Sequence, residues 1–157
     1  MRALPFVALV LIATSATAPA GAQSATGCTR PREACALFDT YLAAFNHRDW
    51  NAFRVTLSDD VTVMFDFSPQ PERRDGRVAV EEFFRRVFPP EGTPPSQLPP
   101  PVQPDQLLAQ DLGDAVVVSF HIRTPEELGR RTVVLHKTAA GWRVVHIHGS
   151  SFAIRAR

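Results

Sequence analysis

The stretch GWRVVHIHGS, residues 141–150, decides the fold because it ends a series of strand-like segments and carries two histidines two residues apart. Side chains on a strand point alternately to opposite faces. Regular alternation predicts that one face, which we expect to be the inner one, carries Trp142, Val144, His146 and His148. Two histidines on one face suit a metal site, a general base or a packing role, and the stretch alone leaves these alternatives open.

Three strand-like segments precede it: DQLLAQDL (105–112), AVVVSFHIR (115–123) and RRTVVLHK (130–137). The short joints GD, TPEELG and TAAG are typical of turns, so we expect an antiparallel meander. In residues 115–123 both alternating sets contain valines, whereas a sheet with one wet face would leave one set polar. We therefore expect helices to cover one face and a partner subunit the other, giving a homodimer through the outer sheet face.

The chain upstream predicts helices. The expected elements are a helix from about residue 33 to 46, a short helix Trp50–Leu57 with Asp49 as N-cap, a turn at SDD (58–60), a strand over residues 61–67 and a helix after Gly76. Helices followed by a run of strands indicate an α+β fold, with the helices packed on one face of a curved sheet.

The segment PPEGTPPSQLPPPVQP, residues 89–104, interrupts this pattern. Its prolines exclude a helix or a central strand, so we predict an extended loop. A surface insertion is the favoured interpretation, and a lid over a pocket is the alternative.

The first residues predict export. Residues 1–22 combine an early arginine, a short apolar run and the small residues Ala20-Gly21-Ala22, the pattern of a cleaved signal peptide. We expect a flexible mature N-terminus at 23–32, a domain at 33–152, a tail at 153–157, a periplasmic or secreted location, and no membrane contact after cleavage. In an oxidising compartment the two cysteines, Cys28 and Cys35, are expected to form a disulfide. The net charge of +1 argues against a nucleic-acid partner.

Four segments together resemble the nuclear transport factor 2-like superfamily, and its SnoaL-like branch most closely. They are YLAAFNHRDWNAF (41–53), LSDDVTV (57–63), GRVAVEEFFRRVF (76–88) and GWRVVHIHGSS (141–151). The resemblance implies a cone-shaped, cystatin-like fold in which a strongly bent antiparallel sheet wraps around the N-terminal helices and encloses a pocket. Members include isomerases, dehydratases, polyketide cyclases and assembly domains, so the resemblance implies no single activity.

Ketosteroid isomerases of this superfamily use a tyrosine, an acid and an aspartate base. Tyr41 matches the tyrosine, but the base position falls on Phe65, with Asp66 one residue late, and no carboxylate stands at the second acid position. The comparison argues against steroid isomerisation. A dehydratase-like site would instead use pocket histidines, which makes Tyr41, Asp66, His121 and His146 the candidate catalytic residues, with no cofactor.

The chain ending also resembles the association domain of calcium/calmodulin-dependent kinase II, in which the fold assembles oligomers and the pocket holds arginines. That resemblance makes Arg123 and Arg131 candidates for binding an anionic ligand. The candidate ligand contacts are Trp142, His148, Arg123 and His136. His146 and His148 lack a complete set of further ligands, so no metal site is predicted.

Together these observations predict an exported SnoaL-like protein that binds a small, partly apolar molecule inside the cone. If it is an enzyme, we expect cofactor-independent acid/base chemistry of the isomerase, dehydratase or cyclase kind. The alternative is a non-catalytic ligand-binding or oligomerisation module.

Overall fold

A computed structural model describes residues 27–66, 72–90 and 92–154. Its helices are α1 (Arg32–His47), α2 (Trp50–Arg54) and α3 (Arg77–Val87), with a 3-10 turn at Pro95–Gln97. Its strands are β1 (Leu57–Phe65), β2 (Arg74–Asp75), β3 (Asp105–Asp111), β4 (Ala115–Arg123), β5 (Glu127–Thr138) and β6 (Gly141–Ala153). The predicted signal peptide, Phe67 and the end of the predicted tail lie outside the described residues.

The strands form one curved, unclosed sheet in the order β2-β1-β6-β5-β4-β3. Strands β3 to β6 pair antiparallel as a meander, and β1 lies parallel to β6. Helix α1 packs across the inner face, against β5 and β6. The α+β class and the cone-like arrangement expected from the sequence are confirmed.

Helix α1 forms where the apolar spacing predicted it, since its buried residues recur every three or four positions: Ala34, Phe38, Tyr41 and Ala44 among them. Asp49 caps α2 by accepting a hydrogen bond from the Ala52 N–H at 2.9 Å. Helix α2 ends at Arg54, short of the predicted Leu57, because Leu57 already belongs to β1 and pairs with Val144. The predicted turn at 58–60 is therefore wrong: these residues extend the strand.

A β-bulge in β6 corrects the predicted faces of the chain ending. Leu135 pairs with Val144 while its neighbour Val134 pairs with His146, so Val145 is an extra residue in β6. An extra residue reverses the alternation beyond it. Trp142 and Val144 lie on the inner face, but His146 and His148 point outward. The prediction that all four share one face is wrong.

The core lies between the helices and the inner sheet face, and its centre is aromatic. Phe53 is fully buried, and its ring lies 4.8 Å from that of Phe84, 5.1 Å from Phe88 and 5.2 Å from Tyr41, measured between centroids. Such tilted contacts add to the stability that buried apolar area provides. This cluster joins α1, α2 and α3 to one another.

Cys28 and Cys35 form the predicted disulfide, with their Cα atoms 5.3 Å apart. The bond ties the segment before α1 to the first turn of that helix. None of the described helices is long and apolar enough to cross a membrane.

Gly149 on β6 is predicted to be essential for stability. A Cβ added there would overlap the Phe65 ring, which lies directly on the strand. We expect Gly149→Ala to destabilise the fold by about 1–3 kcal/mol, the usual cost of overpacking, measured as a lower midpoint of urea unfolding. Ser150→Ala, on the other face of the same strand, is the control. An unchanged midpoint in Gly149→Ala would contradict the close contact.

Candidate functional site

A cavity of about 100 Å³ lies between α1 and the inner face of the sheet, at the end of the cone away from the disulfide. Its walls are mostly apolar. The lining residues are Tyr41, Leu42, Phe45, Phe65, Phe84, Val87, Val102, Phe120, Ile122, Arg131, Val133 and Ile147. Of these described lining residues, only Tyr41 and Arg131 have polar side-chain atoms, so they determine what chemistry the described wall can offer.

Tyr41 enters the cavity because it lies on the buried face of α1. Its ring packs 6.3 Å from that of Phe38 and 5.2 Å from that of Phe53. Burial raises the pKa of the Tyr41 hydroxyl well above its usual range, an effect that the charge of Arg131 partly opposes. Within the described residues the hydroxyl has no hydrogen-bond partner. It is therefore a neutral group that can donate one hydrogen bond to a ligand.

Arg131 reaches the cavity from β5. Its Nη1 donates to the carbonyl oxygens of Arg130 at 2.9 Å and Ser150 at 3.0 Å, and its guanidinium lies 5.6 Å from the centre of the Phe65 ring. Burial lowers the pKa of Arg131, while Asp66, Tyr41 and Glu127 raise it. In the described parts of the chain no carboxylate approaches it within 4.0 Å, so its charge lacks a close counterion.

Two glycines make room for this arginine on the inner face. A Cβ on Gly129 would lie 3.3 Å from Nη1 of Arg131, and one on Gly149 would lie 3.2 Å from its Cδ. Both contacts are tighter than most packing contacts, so a side chain at either position would require Arg131 to shift slightly, and at Gly149 it would first overlap the Phe65 ring. The glycines thus fix the path of the arginine side chain into the cavity.

The four candidate catalytic residues do not share a pocket. Tyr41 lines the cavity, but Asp66 is exposed and its Oδ2 accepts a hydrogen bond from the Ser151 N–H at 2.6 Å. His121 and His146 lie on the outer face. There His121 Nδ1 is 2.9 Å from Oε1 of Gln106, and His146 Nδ1 is 2.7 Å from Oγ1 of Thr62. The structure therefore does not assemble the acid/base site that the family resemblance implied.

The four candidate ligand contacts also lie outside the cavity. Trp142 is buried on the inner face, but beside the first half of α1, and His148 is exposed on the outer face. Arg123 pairs with Asp105 at 3.4 Å, and His136 lies 3.8 Å from Asp114. Whether any of these residues contributes to function stays a prediction.

Of the two arginines that the resemblance to the kinase association domain made candidates for binding an anionic ligand, Arg131 lines the cavity and Arg123 does not. The sequence also indicates that Arg131 faces inward, because it is in phase with Val133 and Leu135, which are buried on the same strand face. An arginine among inward-facing apolar positions, preceded by a glycine two residues earlier, indicates a charge built into the interior.

No group of three or more histidine, cysteine or carboxylate side chains that could hold a metal ion occurs in the residues that the structure describes. The predicted absence of a metal site remains a prediction.

Comparison with known proteins identifies the family. Residues 35–155 match the model of the SnoaL-like domain. No curated protein matches the chain. The fold is similar to that of an NTF2-like protein of unknown function from Pseudomonas putida, with 19% identity, 73% of this chain and 81% of the other covered, and a TM-score of 0.59.

Two further solved structures have the same fold. A cystatin-like fold protein from Burkholderia xenovorans is 19% identical over 78% of this chain and 92% of its own, with a TM-score of 0.62. The CaMKII hub from S. rosetta is 20% identical over 80% of this chain and 98% of its own, with a TM-score of 0.59. At these identities the likeness concerns the fold alone. The family match across most of the chain shows that this protein belongs to the SnoaL-like domain family, within the NTF2-like fold.

Proposed function

We propose that this protein binds a small molecule with an apolar body and a negatively charged head, such as a short-chain carboxylate, in the cavity beneath α1. The observation that supports this most directly is Arg131, whose guanidinium enters an apolar cavity without a close carboxylate among the described residues. A ligand carboxylate would supply that counterion.

The electrostatic argument rests on the cost of taking a charge out of water. Burial already lowers the pKa of Arg131, which means that its charged form is disfavoured where it lies. A carboxylate bound beside it would accept charge-assisted hydrogen bonds, which are about twice as strong as neutral ones. The Tyr41 hydroxyl offers a further donor in the same wall.

The cavity size selects small ligands. Drug-sized molecules occupy pockets of about 300–1,000 Å³, and an apolar cavity of about 150 Å³ accommodates benzene. The cavity here measures about 100 Å³. A chain of a few carbon atoms fits such a space, whereas a steroid or a polyketide does not.

The geometry favours binding over acid/base catalysis. A general acid or base works best when its pKa lies near the operating pH. Among the described residues, the titratable groups in the cavity wall are a tyrosine with a raised pKa and an arginine, and none of these wall residues is a histidine or a carboxylate. We therefore prefer a non-catalytic, ligand-binding role. We also propose that the protein acts after export, because a disulfide is typical of an oxidising compartment.

A second role, self-association through the outer sheet face, is favoured by the composition of that face. Val117 on β4 pairs with Val134 on β5, and Val134 pairs in turn with His146 on β6. All three side chains are only half-buried. A solvent-facing sheet surface would carry polar residues at such central positions. We propose that a second copy of the domain covers this surface, defined as the Val117–Val134 face.

Arg131→Gln tests the binding proposal. Hydrogen bonds to charged groups contribute about 1.5–3 kcal/mol, so we expect this change to weaken hexanoate binding roughly ten- to hundredfold. Binding of hexan-1-ol, which has no charge, should change much less. Isothermal titration calorimetry measures both. Arg123→Gln, at an exposed arginine paired with Asp105, is the matched control. Equal hexanoate affinity in the Arg131 and Arg123 variants would contradict the proposal.

Val134→Lys tests self-association. In a two-fold interface the substitution would place an unpaired charge in the covered apolar surface of both copies, and burying an unpaired charge is costly. We expect the variant to be a monomer at concentrations where the wild type is a dimer, measured by light scattering. Val55→Lys, at a position 62% exposed on the helical side, should leave the dimer intact. A monomeric wild-type protein would refute this role.

His146 predicts acid sensitivity of the fold. Burial, followed by the charges of His148 and Arg73, lowers the pKa of His146 below its usual value of about 6.5. The unfolded chain therefore takes up a proton at a higher pH than the folded one. Stability should fall as the pH drops through about 6.5 and stop falling below the folded-state pKa.

His146→Gln should reduce this loss, measured as the change in urea midpoint between pH 7.5 and 5. His47→Gln, at an exposed histidine in the last turn of α1, is the control. An equal pH dependence in wild type and His146→Gln would show that this imidazole does not titrate abnormally.

A further inference from the structure

One wall of the cavity comes from the proline-rich segment, through the side chain of Val102. Residues 99–101 are prolines and have no backbone N–H, so this stretch cannot pair with a sheet edge. Among the described residues, no backbone–backbone hydrogen bond joins 98–104 to another segment. The position of Val102 must therefore be set by side chains.

Asn46 provides the hydrogen bonds that the backbone cannot. Its Nδ2 donates to the Val102 carbonyl oxygen at 3.0 Å, and its Oδ1 accepts from the Val102 N–H at 2.7 Å. Both backbone groups of Val102 are thus satisfied, as they would be by a neighbouring strand. We call this pair of bonds the Asn46–Val102 clamp. Nearby, Arg48 Nη2 donates to the Pro99 carbonyl oxygen at 3.1 Å.

The clamp joins two walls of one cavity. Asn46 lies one helical turn after Leu42 and directly follows Phe45, and both of those side chains line the cavity with Val102. Helix α1 therefore carries a wall of the cavity and also the group that holds the opposing loop. Any displacement of Val102 would enlarge the space next to Leu42 and Phe45.

We propose that Asn46 is a positioning residue which holds Val102 as a fixed wall, and that this wall sets the longest alkyl chain the cavity accepts. The inference deepens the proposed function and rests on it, since it concerns the apolar body of a carboxylate ligand. Each additional buried methylene should improve affinity about fourfold until the chain reaches the wall. Beyond that length affinity should fall.

A series of straight-chain carboxylates from butanoate to decanoate, titrated calorimetrically, tests the wall. We expect Val102→Ala to move the chain length of tightest binding one or two carbons longer. We expect Asn46→Ala to flatten the dependence on chain length and to weaken binding at the wild-type optimum. Asn51→Ala, at an exposed asparagine of α2, is the matched control and should reproduce the wild-type series. An optimum that is the same in Val102→Ala as in the wild type overturns the inference.

Amide hydrogen exchange followed by NMR tests the clamp without any ligand. The Val102 amide should be protected in the wild type and in Asn51→Ala, and should exchange at least tenfold faster in Asn46→Ala. The amide of Val118, in the centre of β4, should keep its wild-type rate, which shows that the fold as a whole is unchanged. Equal Val102 exchange in Asn46→Ala and the wild type overturns the clamp.

The carboxylate titrations and the amide exchange measurement together separate the inference from the proposed function. If none of the acids binds the wild type, the carboxylate proposal fails and the selection by chain length fails with it. Exchange at Val102 then still decides whether Asn46 holds this wall. If the acids bind and Arg131→Gln weakens them, but neither Asn46→Ala nor Val102→Ala alters the chain-length series, the proposed function stands and the present inference is wrong.

Discussion

The extra residue at Val145 is the constraint on which the two faces of this sheet depend. Without it, strict alternation would place His146 and His148 in the core and expose Ile147, which is almost completely buried. With it, Trp142 and Val144 before the bulge and Ile147 and Gly149 after it all face α1. Bulges also increase the local twist of a strand. A single inserted residue therefore keeps the core apolar and contributes to the curvature around α1.

Arg131 is a charged residue among the apolar side chains that line the cavity on the inner sheet face. Arg131 lies between Phe120 on one neighbouring strand and Gly149 on the other, in a row where an apolar residue would stabilise the core more. Gly129 leaves room beside the Arg131 guanidinium, and Gly149 leaves room chiefly for the Phe65 ring and also for the Arg131 stem. A polar group kept at such cost is the kind of local conflict that marks functional sites in otherwise consistent folds. The same reasoning does not apply to Glu81, which is buried but pairs with Arg54 at 3.3 Å.

Much of the fold follows from periodicity in the sequence. The spacing of apolar residues predicted α1 and α3, the alternation of valines predicted β4 and β5, and their order along the chain predicted an α+β fold. The pairing of β1 beside β6 was beyond this reasoning because it joins residues about 80 positions apart. Residues 58–60, which resemble a turn when considered alone, lie between the paired positions Leu57 and Thr62. The bulge could not be predicted either, because GWRVVHIHG alternates regularly when β6 is considered without its partner strands.

The site was less predictable than the fold, for a related reason. Tyr41 was identified through the resemblance to ketosteroid isomerases, and its inward orientation agrees with the local spacing of apolar residues on α1. The histidines were assigned to the cavity through continuous alternation, and one extra residue moved His146 to the outer face. Arg131 was named only through the resemblance to the kinase association domain, although its phase with Val133 and Leu135 also indicates an inward-facing position.

The histidine-rich chain ending therefore has a different meaning from the one that its composition suggests. Its first half contributes Trp142 and Val144 to the core, and its second half presents His146 and His148 to the surface that we expect a second subunit to cover. The chemistry of the cavity comes instead from α1 and β5, one strand away. Alternation makes this separation inevitable: Arg131 and Thr132 are neighbours in sequence and face opposite sides of the sheet. The effect of a substitution on one face should therefore be compared with the effect of a substitution at a neighbouring residue on the other face, since both side chains share the same backbone.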